Sequence, residues 1–181
     1  MSLATGHGPS AAEQAALPSP PRERDWHAAS AAELIDRILV RYHAEHRRQL
    51  PELIRLARKV ELVHAEDPAC PAGLAAQLRD TARELESHMR KEEEVLFPLL
   101  ARGDGTAAEG AILAVRNEHE EHGHQLRRLV ELAHDLTPPL NACASWRSLY
   151  VALRAFRSDL LDHIHLENDI LFARGLPPRR R

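Results

Sequence analysis

Apolar residues recur at three- and four-residue spacing along most of the chain, and the pattern is interrupted three times. The first stripe runs through Ile35, Leu39, His43, His46, Leu50, Leu53, Ala57 and Val60. The second takes Leu74, Leu78, Thr81, Leu85, His88, Glu92, Val95 and Leu99, and the third Ile112, Val115, His119, His122, Leu126, Leu129, Ala133 and Leu136. The fourth is Leu149, Leu153, Phe156, Leu160, His163, Glu167 and Ile170. Each stripe is one face of an α-helix. The interruptions are Asp67-Pro68-Ala69-Cys70-Pro71, Gly103-Asp104-Gly105 and Thr137-Pro138-Pro139. The spacing predicts helices over 31–65, 71–101, 107–136 and 145–173, the first opened by a capping box, Ser30 with Glu33. Short connections between long helices make neighbours antiparallel. The fold class expected is therefore all-α, an up-down-up-down four-helix bundle.

Polar residues stand in the middle of these stripes, and they repeat. His43-Ala44-Glu45-His46-Arg47-Arg48-Gln49-Leu50 in the first helix matches His119-Glu120-Glu121-His122-Gly123-His124-Gln125-Leu126 in the third, 76 positions on. Leu85, His88, Glu92, Leu96 and Phe97 match Leu160, His163, Glu167, Leu171 and Phe172, 75 positions on. Two helical hairpins of one design follow each other, each with core histidines and a glutamate.

A glutamate is almost never fully buried without a partner, and an unpaired buried charge costs several kcal/mol or disappears by protonation. Two glutamates and at least four histidines on core faces need a common cause, which cations supply. A His and a Glu four apart share a helix face, about 5–6 Å between Cβ atoms. At 1.5 Å of rise per residue, His43, His88, His119 and His163 all fall within one turn of a common level, roughly 15–20 Å from one end of the bundle. Imidazole with carboxylate in a bundle core suits iron, or less often manganese. Six ligands exceed what one ion takes. Zinc fits poorly, because thiolates are absent from the set.

Composition narrows the reading further. The 181 residues are 44% hydrophobic and only 4% aromatic, which favours helices and a real core. The net charge of −3, with no basic patch inside the helices, argues against nucleic acid. No apolar run reaches membrane-span length, and the N-terminus lacks the order of a signal peptide, so a cytoplasmic protein with no membrane partner is expected. Residues 1–29, rich in Ala, Ser, Pro and Gly, are expected to form a flexible tail, and 176–181 an Arg-rich C-terminal tail, around a bundle at 30–175. Cys70 and Cys143 are too few for a disulfide framework. His46 and His122 are assigned to the core beside the ligands. The Glu93–Glu94 pair and His64, His124, His134 and His165 are assigned to solvated faces or helix ends.

The stretches RYHAEHRRQLPELI, SHMRKEEEVLFPLL, EHEEHG and DHIHLENDILF, with TPP and a Cys-x-x-Trp at 143–146, resemble the hemerythrin-like proteins, and within them the bacterial repair-of-iron-centres family. The resemblance covers about 30–175, and all six ligand positions match in type and order. It implies a non-haem di-iron centre, oxo- or hydroxo-bridged, with Glu92 and Glu167 bridging two iron ions and His43, His88, His119 and His163 as terminal ligands, two per iron. It implies support for repair of iron–sulfur clusters damaged by nitrosative or oxidative stress, with nitric oxide or oxygen as small ligands and damaged iron–sulfur proteins as partners. The alternative it leaves is a hemerythrin-like module sensing oxygen, nitric oxide or redox state through a separate partner. Two departures matter. Long members carry an N-terminal cysteine-containing domain, and the 29 residues before the first helix here hold no cysteine. Oxygen carriers use five histidines, with HxxxH in helix 3 and HxxxxD in helix 4, where this chain has Gly123 and Asn168. Gly123 is accordingly expected to leave room for a small ligand beside the iron.

Overall fold

A computed structural model describes residues 26–175. Among these, every regular element is helical, and four long helices form the expected bundle. Helix α1 is α-helical over Ala31–Ile38, takes a π-helical turn over Leu39–His43 and resumes as α-helix over Ala44–Val63. Helix α2 covers Leu74–Lys91, a π-helical turn at Glu92–Leu96, and Phe97–Ala101. Helix α3 is Gly105–Leu132. Helix α4 covers Ala144–His165, a π-helical turn at Leu166–Leu171, and Phe172–Gly175. Around the bundle α1 touches α2 and α4, and α3 touches α2 and α4.

The boundaries follow local chemistry. Ser30 and Glu33 form the capping box, each bonding the other's backbone amide. Helix α2 starts three residues later than the spacing predicts. Gly73 stands just before it at φ 88°, a left-handed conformation for which glycine has no steric penalty. Helix α3 starts two residues early, because the Asp104 side chain accepts from the Ala107 amide at 3.1 Å. It ends before 136 in a left-handed turn at His134, Asp135 and Leu136, whose φ values are 49°, 54° and 57°. Arg154 Nη1 holds the Leu136 carbonyl there at 2.6 Å.

The π-helical turns are what the helical spacing missed. In each, one amide reaches a carbonyl five residues back: Ala44 to Leu39, Phe97 to Glu92, and Phe172 to Glu167. One residue is thereby inserted into the turn and the buried face rotates. Val95, expected in the core stripe, is 52% exposed, while Leu96 and Phe97 are buried instead.

Two apolar clusters result. One, around Leu53, Leu78, Leu129, Trp146 and Phe156, fills the end toward the α1–α2 loop. The other, around Leu34, Ile38, Phe97, Ile112 and Phe172, fills the opposite end. A buried polar belt separates them, made of His43, His46, His88, Glu92, His119, His122, Gln125, Asp159, His163 and Glu167. Residues 26–29 are described, whereas 1–25 and 176–181, the remainder of the expected tails, lie outside the described residues. Trp26 and Ala29 pack on the second cluster, and the guanidinium of Arg174 bonds the carbonyls of Trp26, His27 and Ala29. No helix among the described residues is long and apolar enough to cross a membrane.

Candidate metal centre

All six residues singled out in the sequence meet in this belt. His43, His163, Glu92 and Glu167 are fully buried, and His88 and His119 nearly so. His43 Nε2 and His88 Nε2 lie 3.3 and 3.4 Å from Glu92 Oε2. His119 Nε2 lies 3.0 Å from Glu167 Oε2, and His163 Nε2 lies 3.1 Å from Glu167 Oε1. The ligand atoms form two overlapping quartets, each within 4.8 Å: His43, Glu92, His163 and Glu167, and His88, Glu92, His119 and Glu167. Both glutamates belong to both quartets. Each quartet draws one histidine from each hairpin, an arrangement that sequence spacing does not reveal.

The donor set fits metal ions. The four Nε2 atoms and both oxygens of each glutamate are buried without a hydrogen-bond partner. Polar atoms left unsatisfied in a core cost about 1–3 kcal/mol each, and cations between imidazole and carboxylate satisfy all eight.

The electrostatics of the clustered side chains point the same way. Burial, joined by the neighbouring His163, pushes His43 down to about 4. Burial pushes His88 down to about 3. These rings are neutral, as metal ligands must be. Burial and the opposing Glu167 carboxylate raise Glu92 well above its usual range. Burial raises Glu167 too, but His163 and His119 outweigh it and hold that carboxyl well below its usual range.

Three of the histidines are oriented from behind. His43 Nδ1 lies 2.7 Å from Glu93 Oε1, His88 Nδ1 lies 2.8 Å from Glu118 Oε2, and His119 Nδ1 lies 3.0 Å from Asn168 Oδ1. With Nδ1–H donating, Nε2 is left free for a metal. Glu93 is thus not a solvated charge. It accepts from Arg47 and from His43, and these bonds hold its carboxyl below the usual range despite partial burial. Glu94 does stay at the surface, paired with Arg90. The spacing did carry a signal for these partners: Glu93 and Asn168 each follow a core glutamate at the same place in the repeat, and Glu118 directly precedes His119. Phe97 and Phe172 occupy another repeated position and stack on His43 and His119, at 5.7 and 6.1 Å between centroids.

His46 and His122 are buried one turn along, outside both quartets. Their rings pack against His163 at 5.3 Å and His88 at 4.7 Å. Gly123 does not do what the sequence suggested. A Cβ there would meet only Arg127 Nη1, at 3.9 Å, and the residue lines an outer groove with Leu126, Val130, Arg157 and Leu161, away from the cluster. Of the histidines expected on solvated faces or at helix ends, His64 stands at the end of α1 and is half-buried against the Trp146 ring, with Nε2 3.2 Å from Cys143 Sγ.

Residues 34–174 match the model of the hemerythrin HHE cation-binding domain. Over 157 residues, 87% of this chain, the sequence is 50% identical to an iron–sulfur cluster repair protein YtfE of Dickeya chrysanthemi, covering 71% of that protein. It is 48% identical over 165 residues to the protein of that name in Escherichia coli O157:H7, and 47% identical over 166 residues to the one in Yersinia pseudotuberculosis. In both cases 91% of this chain and 75% of the relative are covered.

Proposed function

The chain belongs to the hemerythrin HHE cation-binding family, and on that premise we propose that it is a non-haem di-iron protein supporting repair of iron–sulfur clusters damaged by nitrosative or oxidative stress. The observation that carries the reading is the set of eight buried, partnerless donor atoms on four histidines and two glutamates. His43 and His163 would hold one iron and His88 and His119 the other, with Glu92 and Glu167 shared by both positions. Iron is preferred to zinc because the set combines imidazole and carboxylate without thiolate and exceeds four ligands. Two irons in such a site supply redox change, positions for small ligands such as nitric oxide or oxygen, and metal that can be passed on.

The chain's own part is to hold and shield. Glu93, Glu118 and Asn168 fix three imidazoles with Nε2 inward. Phe97 and Phe172 cover two of those rings, and the apolar cluster on that side keeps bulk water out. The names of the relatives support damaged iron–sulfur proteins as the partners. We place the work in the cytoplasm and assign it to the bundle at 30–175.

The test is direct. Iron-loaded protein is added to an iron–sulfur enzyme inactivated with nitric oxide, and recovery of that enzyme is followed. Two irons per chain and faster recovery than with free iron are expected. Failure to retain iron, or recovery no better than with free iron, overturns the proposal.

A further inference from the structure

The two halves of the cluster are built on one repeat, but their supports differ at one position. Residue 42 in α1 corresponds to 118 in α3, and His163 corresponds to His88. Glu118 accepts from His88 Nδ1. The equivalent acceptor for His163 should come from residue 42, which is tyrosine. Its ring lies flat against His163, 5.2 Å between centroids at 7°. His163 Nδ1 is buried and has no hydrogen-bond partner. No carboxylate takes its place behind the ring: the guanidiniums of Arg37 and Arg41 lie 5.9 and 5.3 Å from the Tyr42 ring centroid, Arg41 being paired with Asp159.

We infer that the two metal positions are held unequally, and that the ion between His43 and His163 is the one released first. The inference rests on the two-ion reading above. An acceptor on Nδ1 makes the imidazole a stronger ligand, and losing such a partner typically weakens metal binding by 10–100-fold. At the His88–His119 position both rings have an acceptor. At the His43–His163 position one does, and Tyr42 fixes the other ring by stacking while adding no electron density. Tyr42 and Glu118 are positioning residues, and their difference sets the order of release.

Chain carrying two ferrous ions, counted beforehand, is mixed anaerobically with excess ferrous chelator, and release is followed by absorbance. Two phases of one ion each are expected, with rates about tenfold or more apart. Tyr42→Glu supplies the missing carboxylate and slows the fast phase. Tyr42→Ala removes the stack and speeds it. Asn168→Ala takes the acceptor from His119 and speeds the slow phase, leaving the fast one unchanged, so the order is readable even if a position-42 variant does not fold. Two ions leaving in a single phase overturn the inequality alone. Phases whose response to the Tyr42 and Asn168 substitutions is interchanged overturn the assignment. Fewer than two ions before chelator is added overturn the two-ion reading and this one with it.

Discussion

Glu92 and Glu167 face each other across the bundle axis, both fully buried, with oxygens within 4.8 Å and no hydrogen-bond partner for either carboxylate. Each also belongs to both metal quartets. Glu92→Ala or Glu167→Ala is therefore expected to lose both ions, whereas each of His43→Ala, His88→Ala, His119→Ala and His163→Ala retains about one. Metal per chain in the six variants is the measurement. A histidine variant that loses both ions, beside glutamate variants that keep two, would show that the carboxylates do not bridge.

Metal should stabilise the fold. Without it the two carboxylates and the four Nε2 atoms share a core with no hydrogen-bond partner. Binding at a hundred times Kd adds about 2.7 kcal/mol, which for a chain of this size raises the melting midpoint by roughly 5–10 °C. Thermal melts before and after verified metal removal check this. An unchanged midpoint would be incompatible with an interior site.

Metal-free protein should weaken as pH falls from 7 to 5. Burial holds His43 and His122 near 4 and His46 and His88 near 3, below the 6.5 of a free histidine. A group with its folded pKa depressed stabilises the fold fully above 6.5 and loses that contribution as pH falls through the folded value. Glu92 runs the other way: its raised pKa favours the fold most below 4.5, and the contribution fades as pH rises. Between 4.5 and 6.5 four histidines outweigh one glutamate. Denaturation midpoints across this range should fall with acidification; a flat or rising midpoint would refute the balance.

Glu93 and its neighbour Glu94 should behave very differently. Glu93→Ala removes the acceptor behind His43 and is expected to weaken metal binding by about 10–100-fold with the helices intact. Glu93→Gln keeps an acceptor and should recover part of the loss. Glu94→Ala, at a surface pair with Arg90, should change nothing. Competition with a chelator of known affinity measures all three, and equal effects at 93 and 94 would remove Glu93 from the site.

Truncation separates tail from bundle. Deleting residues 1–25 should leave metal loading and melting midpoint as they were. Deleting through Ala29 should lower the midpoint, because Trp26 and Ala29 pack on an apolar cluster and the Arg174 guanidinium bonds carbonyls in that turn. Loss of metal in the first truncation would place His7 at the site.

What the sequence determined alone was one-dimensional: which residues share a helix face, how often the faces repeat, and at what height the polar positions fall. Spacing of three and four defines a face whatever packs on it, so the four helices and the convergence of His43, His88, Glu92, His119, His163 and Glu167 were legible. Three things were not. The π-helical turns insert a residue where the ligands sit, and no local preference announces them; nor did the spacing show that Val95 is exposed while Ile170, its equivalent in the repeat, is buried. The crossing of hairpins, which puts His43 with His163 and His88 with His119, depends on which faces meet around the bundle. The third is which residue stands behind each imidazole: the repeat marks the positions of Glu93 and Asn168 but not the way their side chains turn. Glu93 and Glu94 are alike in the chain, yet one faces His43 and the other Arg90, because one residue is about 100° around a helix and only the packed neighbours decide which direction is inside.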